Sequence, residues 1–290
     1  MANSTRVPEG APIWVPPGHF YSPIPDLASV RERADRIFRP GGLELPGVNL
    51  RLAEQYQVGL QFASAYRDDY FQENPSDERR YGWRNDYFPF ADAFYTDRFM
   101  RDVRPKRIVE VGSGWSSAAM LDVCADWRKS GEACPQLDFI EPYPDRLKGL
   151  LWEGDESYCT IWEQEVQDVP LEIFDRLEKN DLLFIDSSHV IKTGSDLWFL
   201  FFHALPRLKP GVWVFVHDIT WPLEYPEEWV KEGRSWNEIY LLRAFLQYNE
   251  HFVVRWLPGL ALGSQLERAK AETPMLVEHG GTGIWIERVK

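Results

Sequence analysis

Basic residues are in short supply. The 290-residue chain has 32 Lys and Arg against 45 Asp and Glu, a formal net charge of −13. Nucleic-acid binding is driven by Lys and Arg meeting phosphate, and no basic stripe offsets the deficit, so no nucleic-acid partner is expected. Cysteine is scarcer still. Cys124, Cys134 and Cys159 are odd in number and form no C-x-x-C pair, which excludes a disulfide framework and predicts free thiols in a reducing, cytoplasmic setting. Long apolar runs are missing too. The most apolar one, Leu197 to Leu205, is interrupted by His203 and is too short to span a bilayer. Met1 to Gly10 has no apolar stretch, so neither a signal peptide nor a membrane partner is expected. There is no internal repeat and no low-complexity segment. What remains is an ordinary soluble composition, 44% hydrophobic and 27% charged, with an unusual 13 Trp.

The chain is organised around Arg107-Ile108-Val109-Glu110-Val111-Gly112-Ser113-Gly114-Trp115-Ser116-Ser117. Ile108, Val109 and Val111 suit a strand buried on both faces. Gly112 and Gly114 permit a tight turn and close approach of a ligand. Ser116 or Ser117 can cap the helix that follows. Glu110, just before the glycines, favours a cationic ligand over a pyrophosphate. The third glycine of G-x-G-x-x-G is replaced by Ser117, which also weighs against a dinucleotide.

Before this motif, residues 7 to 25 carry Pro8, Pro12, Pro16, Pro17, Pro23 and Pro25 and should be extended. Asp26 should cap a helix with Leu27, Val30, Ala34 and Ile37 on one face, ended by Pro40-Gly41-Gly42. Further helices are predicted from after Asn49 to Tyr66 and from Pro89 to Val103. Residues 78–86, with Trp83 and Arg84, form either a solvated loop or a lid that touches substrate. Strands are then predicted at 107–111, 136–141, 158–162, 181–186 and 211–217, alternating with helices near 116–127, 144–151, 170–178 and 195–206. A helix from Trp236 to Tyr248 and two strands, 252–256 and 283–288, separated by a loop-rich segment, complete the chain. This is an α/β pattern: a mostly parallel sheet with helices on both faces, ligands binding beyond the strands' carboxyl ends. Residues 1–104 are expected to form an extended and helical accessory or lid region, and 105–290 the catalytic domain.

The strand ends repeat one theme. Glu110, Glu141, Asp186 and Asp218 each close a strand, with His189 and His217 beside the last two. Glu141 can accept both hydroxyls of a ribose, and Gln167 or Asp168, after the third strand, could meet an adenine amino group. A crevice lined by acids repels phosphates and welcomes a positive centre beside a ribose diol, which describes S-adenosyl-L-methionine. Glu110-Val-Gly-Ser-Gly, then Glu141, Asp186 and His217-Asp218, resembles the class I S-adenosylmethionine-dependent methyltransferases, and among them the bacterial small-molecule group of macrocin O-methyltransferase-like enzymes. The resemblance covers about 105 to 290, with Phe20 to Asp26 as the most recognisable stretch of the accessory region. It implies a Rossmann-like sheet of about seven strands with an antiparallel last strand. It also implies that Gly112 and Gly114 flank the methionine part of the cofactor and that Glu141 holds its ribose.

Methyl transfer to a hydroxyl needs alignment and removal of a proton. Two routes fit. In one, Asp186, His217 and Asp218 hold a divalent metal: Mg for two carboxylates, Mn or Fe once an imidazole joins. The metal-dependent relatives differ at this place, where the present chain carries histidine. In the other, His189 or His217 is a general base oriented by an acid, Asp186 among them. His19, His203, His251 and His279 lack such a setting. The aromatic excursion after Asp218, with Trp221, Arg234, Trp236 and Asn237, should form a wall of the substrate pocket and suit an aromatic or polyketide-like small molecule, with Arg234 or Arg84 meeting a carboxylate. A homo-oligomer is expected from the aromatic N-terminal region. The competing readings are an NAD-dependent oxidoreductase on the same sheet type, which Glu141 fits but Glu110 and Asp186 do not, and a non-catalytic binding module of this fold.

Overall fold

The structure, a computed structural model, describes residues 14–38 and 45–290. Pro8, Pro12 and the Pro40-Gly41-Gly42 terminator lie outside the described residues. The chain divides into two compact units, one from residues 14–38 with 225–236, the other from 45–224 with 237–290.

In the smaller unit Asp26 caps a helix, its carboxylate accepting from the N–H groups of Ala28 and Ser29 at 3.0 and 3.3 Å. The expected single helix is two, Leu27–Glu32 and Ala34–Ile37, because Arg33 leaves helical geometry. The stretch before it, expected to be extended, is a series of turns and bends over residues 14–25. Tyr225, Trp229 and Trp236 cluster around the short helix Glu227–Lys231.

The larger unit is a seven-stranded sheet: β1 (Arg107–Val111), β2 (Gln136–Ile140), β3 (Cys159–Trp162), β4 (Leu182–Ile185), β5 (Trp213–Val216), β6 (Phe252–Trp256) and β7 (Ile284–Arg288). The order is β3-β2-β1-β4-β5-β7-β6, with β7 antiparallel to both of its neighbours and the other pairs parallel. The central strands are continuous apolar runs because both faces are covered; Leu182, Leu183, Phe184 and Ile185 are all fully buried. β1 leads one way through β2 to β3, and the chain then crosses back to β4 on the other side of β1, which puts the reversal of strand order between β1 and β4.

Helices Leu52–Ala65 and Phe90–Val103 fall within the larger unit. Phe90, Phe94 and Met100 are buried in the same core as Ile108, Phe139 and Phe184. Arg80 ties this region down: it is 3% exposed, pairs with Asp155 at 2.5 Å and Asp122 at 3.4 Å, and stacks on Trp152. The segment after β6, expected to be loop, contains short helices Pro258–Ser264, Leu266–Glu272 and Pro274–Glu278. Two of them open on a proline, whose fixed φ suits a first helical position.

Candidate active site

Backbone hydrogen bonds just past the strand ends set the polar residues in one row. Gly112 N–H donates to Ile140 O, Glu141 N–H to Trp162 O, Asp186 N–H to Val111 O and His217 N–H to Ile185 O, all at 2.9–3.0 Å. Glu141, Gly112, Asp186 and His217 therefore stand on adjacent strands, about one strand spacing, roughly 4.8 Å, apart.

A cleft of about 410 Å³ opens over this row, within the range of small-molecule sites. Gly112, Glu141, Gln167 and Asp186 line it, together with the loop Ser187–Asp196 that follows β4. Gly112 has φ +81°, and a Cβ there would come within 1.8 Å of the Asp186 carbonyl oxygen. Glycine is required at 112 because two strand ends converge. At Gly114 a Cβ would meet only the Arg146 side chain at ordinary contact distance. Glu141 is held by the loop it faces, accepting from Ser113 N–H at 3.0 Å and Tyr143 N–H at 2.8 Å. Four acids, Glu141, Glu165, Asp186 and Asp196, line the cleft, against one lysine, Lys192. Two buried polar atoms there lack a partner, Gln167 Oε1 and Ser187 Oγ. The Gln167 amide nitrogen is used, donating to Glu165 and to the Gly194 carbonyl. Asp168 is exposed, ends a short 3-10 turn and is not part of the lining.

Glu110 lies behind this surface. It is fully buried, and its two carboxyl oxygens accept the hydroxyls of Ser116 and Ser117 at 2.5 and 2.6 Å. Ser117 Oγ also accepts from Gly114 N–H at 3.0 Å, so the side chain read as a helix cap joins the turn, the helix and the strand. Burial pushes the Glu110 pKa up to about 8 against the pull of the two hydroxyls, so at neutral pH this acid is mostly uncharged and adds little negative potential.

Beside the cleft is a second polar group built around two imidazoles. His217 Nδ1 lies 3.2 Å from Asp186 and 3.7 Å from Asp218, and its Nε2 3.3 Å from Asp92. His189 Nε2 lies 3.4 Å from Asp218 and 3.6 Å from Asp186, and its Nδ1 2.9 Å from Glu238. Thr282 closes the ring: its N–H donates to Asp92 at 3.0 Å and its hydroxyl to Asp218 at 3.1 Å. Burial opposes charge on both rings, yet the surrounding carboxylates win, raising His189 and holding His217 well above the usual histidine value. Burial likewise pushes Asp186 up, but the charge and hydrogen bond of His217, with the charge of His189, leave it below the usual carboxylate range. Burial raises Glu238, against the pull of His189. The histidines are buried, whereas the side chains of Asp186 and Asp218 keep 27% and 16% of their exposure. The carboxylates are thus the face of this cluster.

Asp186, His217 and Asp218 are brought together as the sequence suggested. Among the described residues, however, no group of three or more His, Cys, Asp or Glu side chains is disposed to hold a metal ion. Both nitrogens of His217 face carboxylates, and a ring that keeps its proton cannot donate a lone pair to a metal.

Residues 109–219 match a family profile described as a methyltransferase domain. A protein of Archaeoglobus fulgidus described as uncharacterized is 38% identical over 171 residues, which cover 57% of this chain and 74% of that protein. The chain belongs to this methyltransferase family. More distant likenesses extend to solved structures. The SAH-bound methyltransferase PaMTH1 of Podospora anserina is 14% identical, with a TM-score of 0.43 over 91% of this chain and 96% of that one. An O-methyltransferase from Bacillus cereus in complex with SAH is 13% identical, with a TM-score of 0.42 over 91% and 97%.

The methyltransferase profile spans β1 to Asp218, so Asp92, Glu238 and Thr282 lie outside it. Sequence reasoning missed Asp92 and Thr282 as site residues. The one available signal was an acid inside the aromatic and alanine run Phe90-Ala91-Asp92-Ala93-Phe94. The substrate-wall candidates are scattered. Trp83 packs at a tilt against His279, and Arg84 is exposed and paired with Glu73. Trp221 packs against Gly259. Asn237 accepts from Ile191 N–H at 2.7 Å, and its own N–H donates to the His189 carbonyl, fixing the loop that carries His189. Arg234 and Trp236 belong to the smaller unit, where the guanidinium lies over Trp229 and Trp236 and pairs with Glu232.

Proposed function

We propose that this methyltransferase uses S-adenosyl-L-methionine to methylate a small molecule, at a hydroxyl oxygen. The observation that carries the reading is the unpartnered, buried Gln167 Oε1 in an acid-lined cleft at the reversal of strand order. An adenine amino group would satisfy that acceptor, Glu141 has lone pairs left for a ribose diol, and four acids against one lysine favour a sulfonium over a pyrophosphate. The same charge balance speaks against the oxidoreductase alternative. The finer likeness to macrocin O-methyltransferase-like enzymes rests on the sequence alone.

The cofactor supplies an activated methyl group on a positively charged sulfur; the protein does the rest. Asp186 and Asp218 are the exposed members of the cluster and would accept the hydrogen bond of an acceptor hydroxyl. As the oxygen gives up electron density its proton becomes far more acidic, so a carboxylate suffices to take it. His189 and His217, protonated behind them, hold the carboxylates ionised and in place. In this role they are positioning residues, and the base is a carboxylate rather than a histidine.

Calorimetric titration with S-adenosylhomocysteine, with NAD as the comparison, tests the reading. Saturable binding of the former alone is expected. Binding of NAD instead, or of neither, overturns it.

A further inference from the structure

Two of the three cysteines, ten positions apart in the chain, meet beside one helix end. Cys124 lies on helix Trp115–Lys129 and is fully buried. The helix closes in a left-handed glycine turn. Gly131 has φ +72°, its N–H donates to the Arg128 carbonyl at 3.0 Å, and Glu132 N–H donates to the Trp127 carbonyl at 2.7 Å. That turn sends the chain back along the helix before β2 begins. Cys134 thereby comes to rest against Cys124. Its thiol donates to the Cys124 carbonyl at 3.4 Å, and the two side chains hydrogen-bond to each other. Both are free thiols.

The two sulfurs differ as attacking and resolving thiols must. Cys134 is only partly buried. The hydrogen bond from Cys124 and the charge of Arg128 lower its pKa against the effect of burial, which favours the thiolate, the reactive form. Cys124 is raised by that same hydrogen bond and by burial, so it keeps its proton. Cys159, at the start of β3, is pushed up by burial and by the charge of Asp155, and it hydrogen-bonds to neither. We propose that Cys134 and Cys124 form an oxidant-responsive dithiol, in which a hydroperoxide converts Cys134 to a sulfenic acid and Cys124 closes it to a disulfide. In the first step the Cys134 thiolate takes one peroxide oxygen, the O–O bond breaks, and the other oxygen leaves as water or an alcohol after gaining a proton. In the second the Cys124 sulfur attacks the sulfenic sulfur: the S–S bond forms, the S–O bond breaks, and the Cys124 proton leaves with the hydroxyl as water. The thiols give up two electrons and the peroxide gains them. Residues 130–133 are exposed, and nothing lies within 4 Å of a Cβ built at Gly131, so the loop has room to adjust as the sulfurs close. The pair works independently of what the cleft binds.

The test treats the reduced full chain with hydrogen peroxide at neutral pH, alkylates the remaining thiols, and maps the tryptic peptides by mass spectrometry. The expected product joins the peptide carrying Cys124 to the one carrying Cys134, lighter by two hydrogen atoms than their sum, and dithiothreitol returns both. Cys159 should be recovered alkylated. Cys134→Ser should remove the cross-link and slow the peroxide-dependent loss of thiol at least about tenfold, because the remaining sulfurs are protonated. Cys124→Ala, a small apolar replacement for a buried side chain, should stop Cys134 at the sulfenic acid, where dimedone captures it. No cross-link in the native chain, a bond from Cys134 to Cys159 instead, or loss of the Cys159 thiol as fast as that of Cys134 each overturns the proposal.

Discussion

On the β1–β2–β3 half of the carboxyl edge, the lining residues come from within a few positions of a strand end: Gly112, Glu141 and Gln167. On the β4–β5 half they are gathered from the whole chain. Asp186 and His217 follow their strands, but Asp92 comes from a helix before the sheet begins, Glu238 from the helix before β6 and Thr282 from the end of the segment between β6 and β7. The first half is open and leaves Gln167 Oε1 without a partner; in the second both imidazoles are already paired with carboxylates, although Asp92 Oδ1 and Glu238 Oε1 make no hydrogen bond. A surface that must receive a ligand leaves its hydrogen bonds unmade, whereas one that must fix the charge of two carboxylates makes them in advance. On this contrast, the first half should govern cofactor affinity and the second turnover.

The strongest attempt to break that division is Asp186→Asn, because Asp186 alone both lines the cleft and joins the histidine cluster. Turnover with S-adenosyl-L-methionine and an accepted hydroxyl should fall at least about 100-fold, the usual worth of a positioned proton acceptor, and retained activity would refute its role. Asp92→Asn comes next. It removes the far partner of His217 and should lower kcat about tenfold, the worth of one hydrogen bond to a charged group, with the S-adenosylhomocysteine Kd unchanged by calorimetry. An equal loss of affinity would dissolve the contrast. Gln167→Leu should do the reverse, weakening S-adenosylhomocysteine about fivefold with kcat intact at saturation.

Smaller effects sharpen the picture. His189 and His217 are raised in the fold, so it prefers their protonated forms. The stability they contribute is complete below the unfolded value of about 6.5 and is lost as pH climbs through the raised values. Thermal melts should therefore show no loss from these rings around pH 6.5 and a decline on the alkaline side. Least of all, EDTA should leave turnover unchanged. A loss restored by Mg²⁺ would put an ion against Asp186 and Asp218 and displace the imidazolium arrangement.

The same contrast explains what could be read without coordinates. The seven strands were legible because Ile108–Val111, Leu182–Ile185 and Val212–Val216 are apolar runs punctuated by acids and glycine, a local signal. The place of Glu141 and Gln167 on the cleft wall was legible because it follows from their position just past strand ends. Asp92 was not, because nothing in a helix of aromatic and alanine residues says which buried acid will meet an imidazole 125 positions away. Glu110 misleads for a related reason. Its position suggests a charged rim, but two neighbouring hydroxyls and complete burial turn it into a brace for the glycine turn. The helices after β6 were hidden because each is only five to seven residues long, shorter than the period needed to display a face.

Arg80 carries one more consequence. A guanidinium sealed between Asp122 and Asp155 cannot swing outward without stranding bare charges in a dry interior, a penalty of several kcal/mol by the usual cost of breaking a buried pair, about 3–5 kcal/mol. The chain at residue 80 is therefore riveted to the helix and loop flanking β2, and any breathing that admits an acceptor must hinge elsewhere.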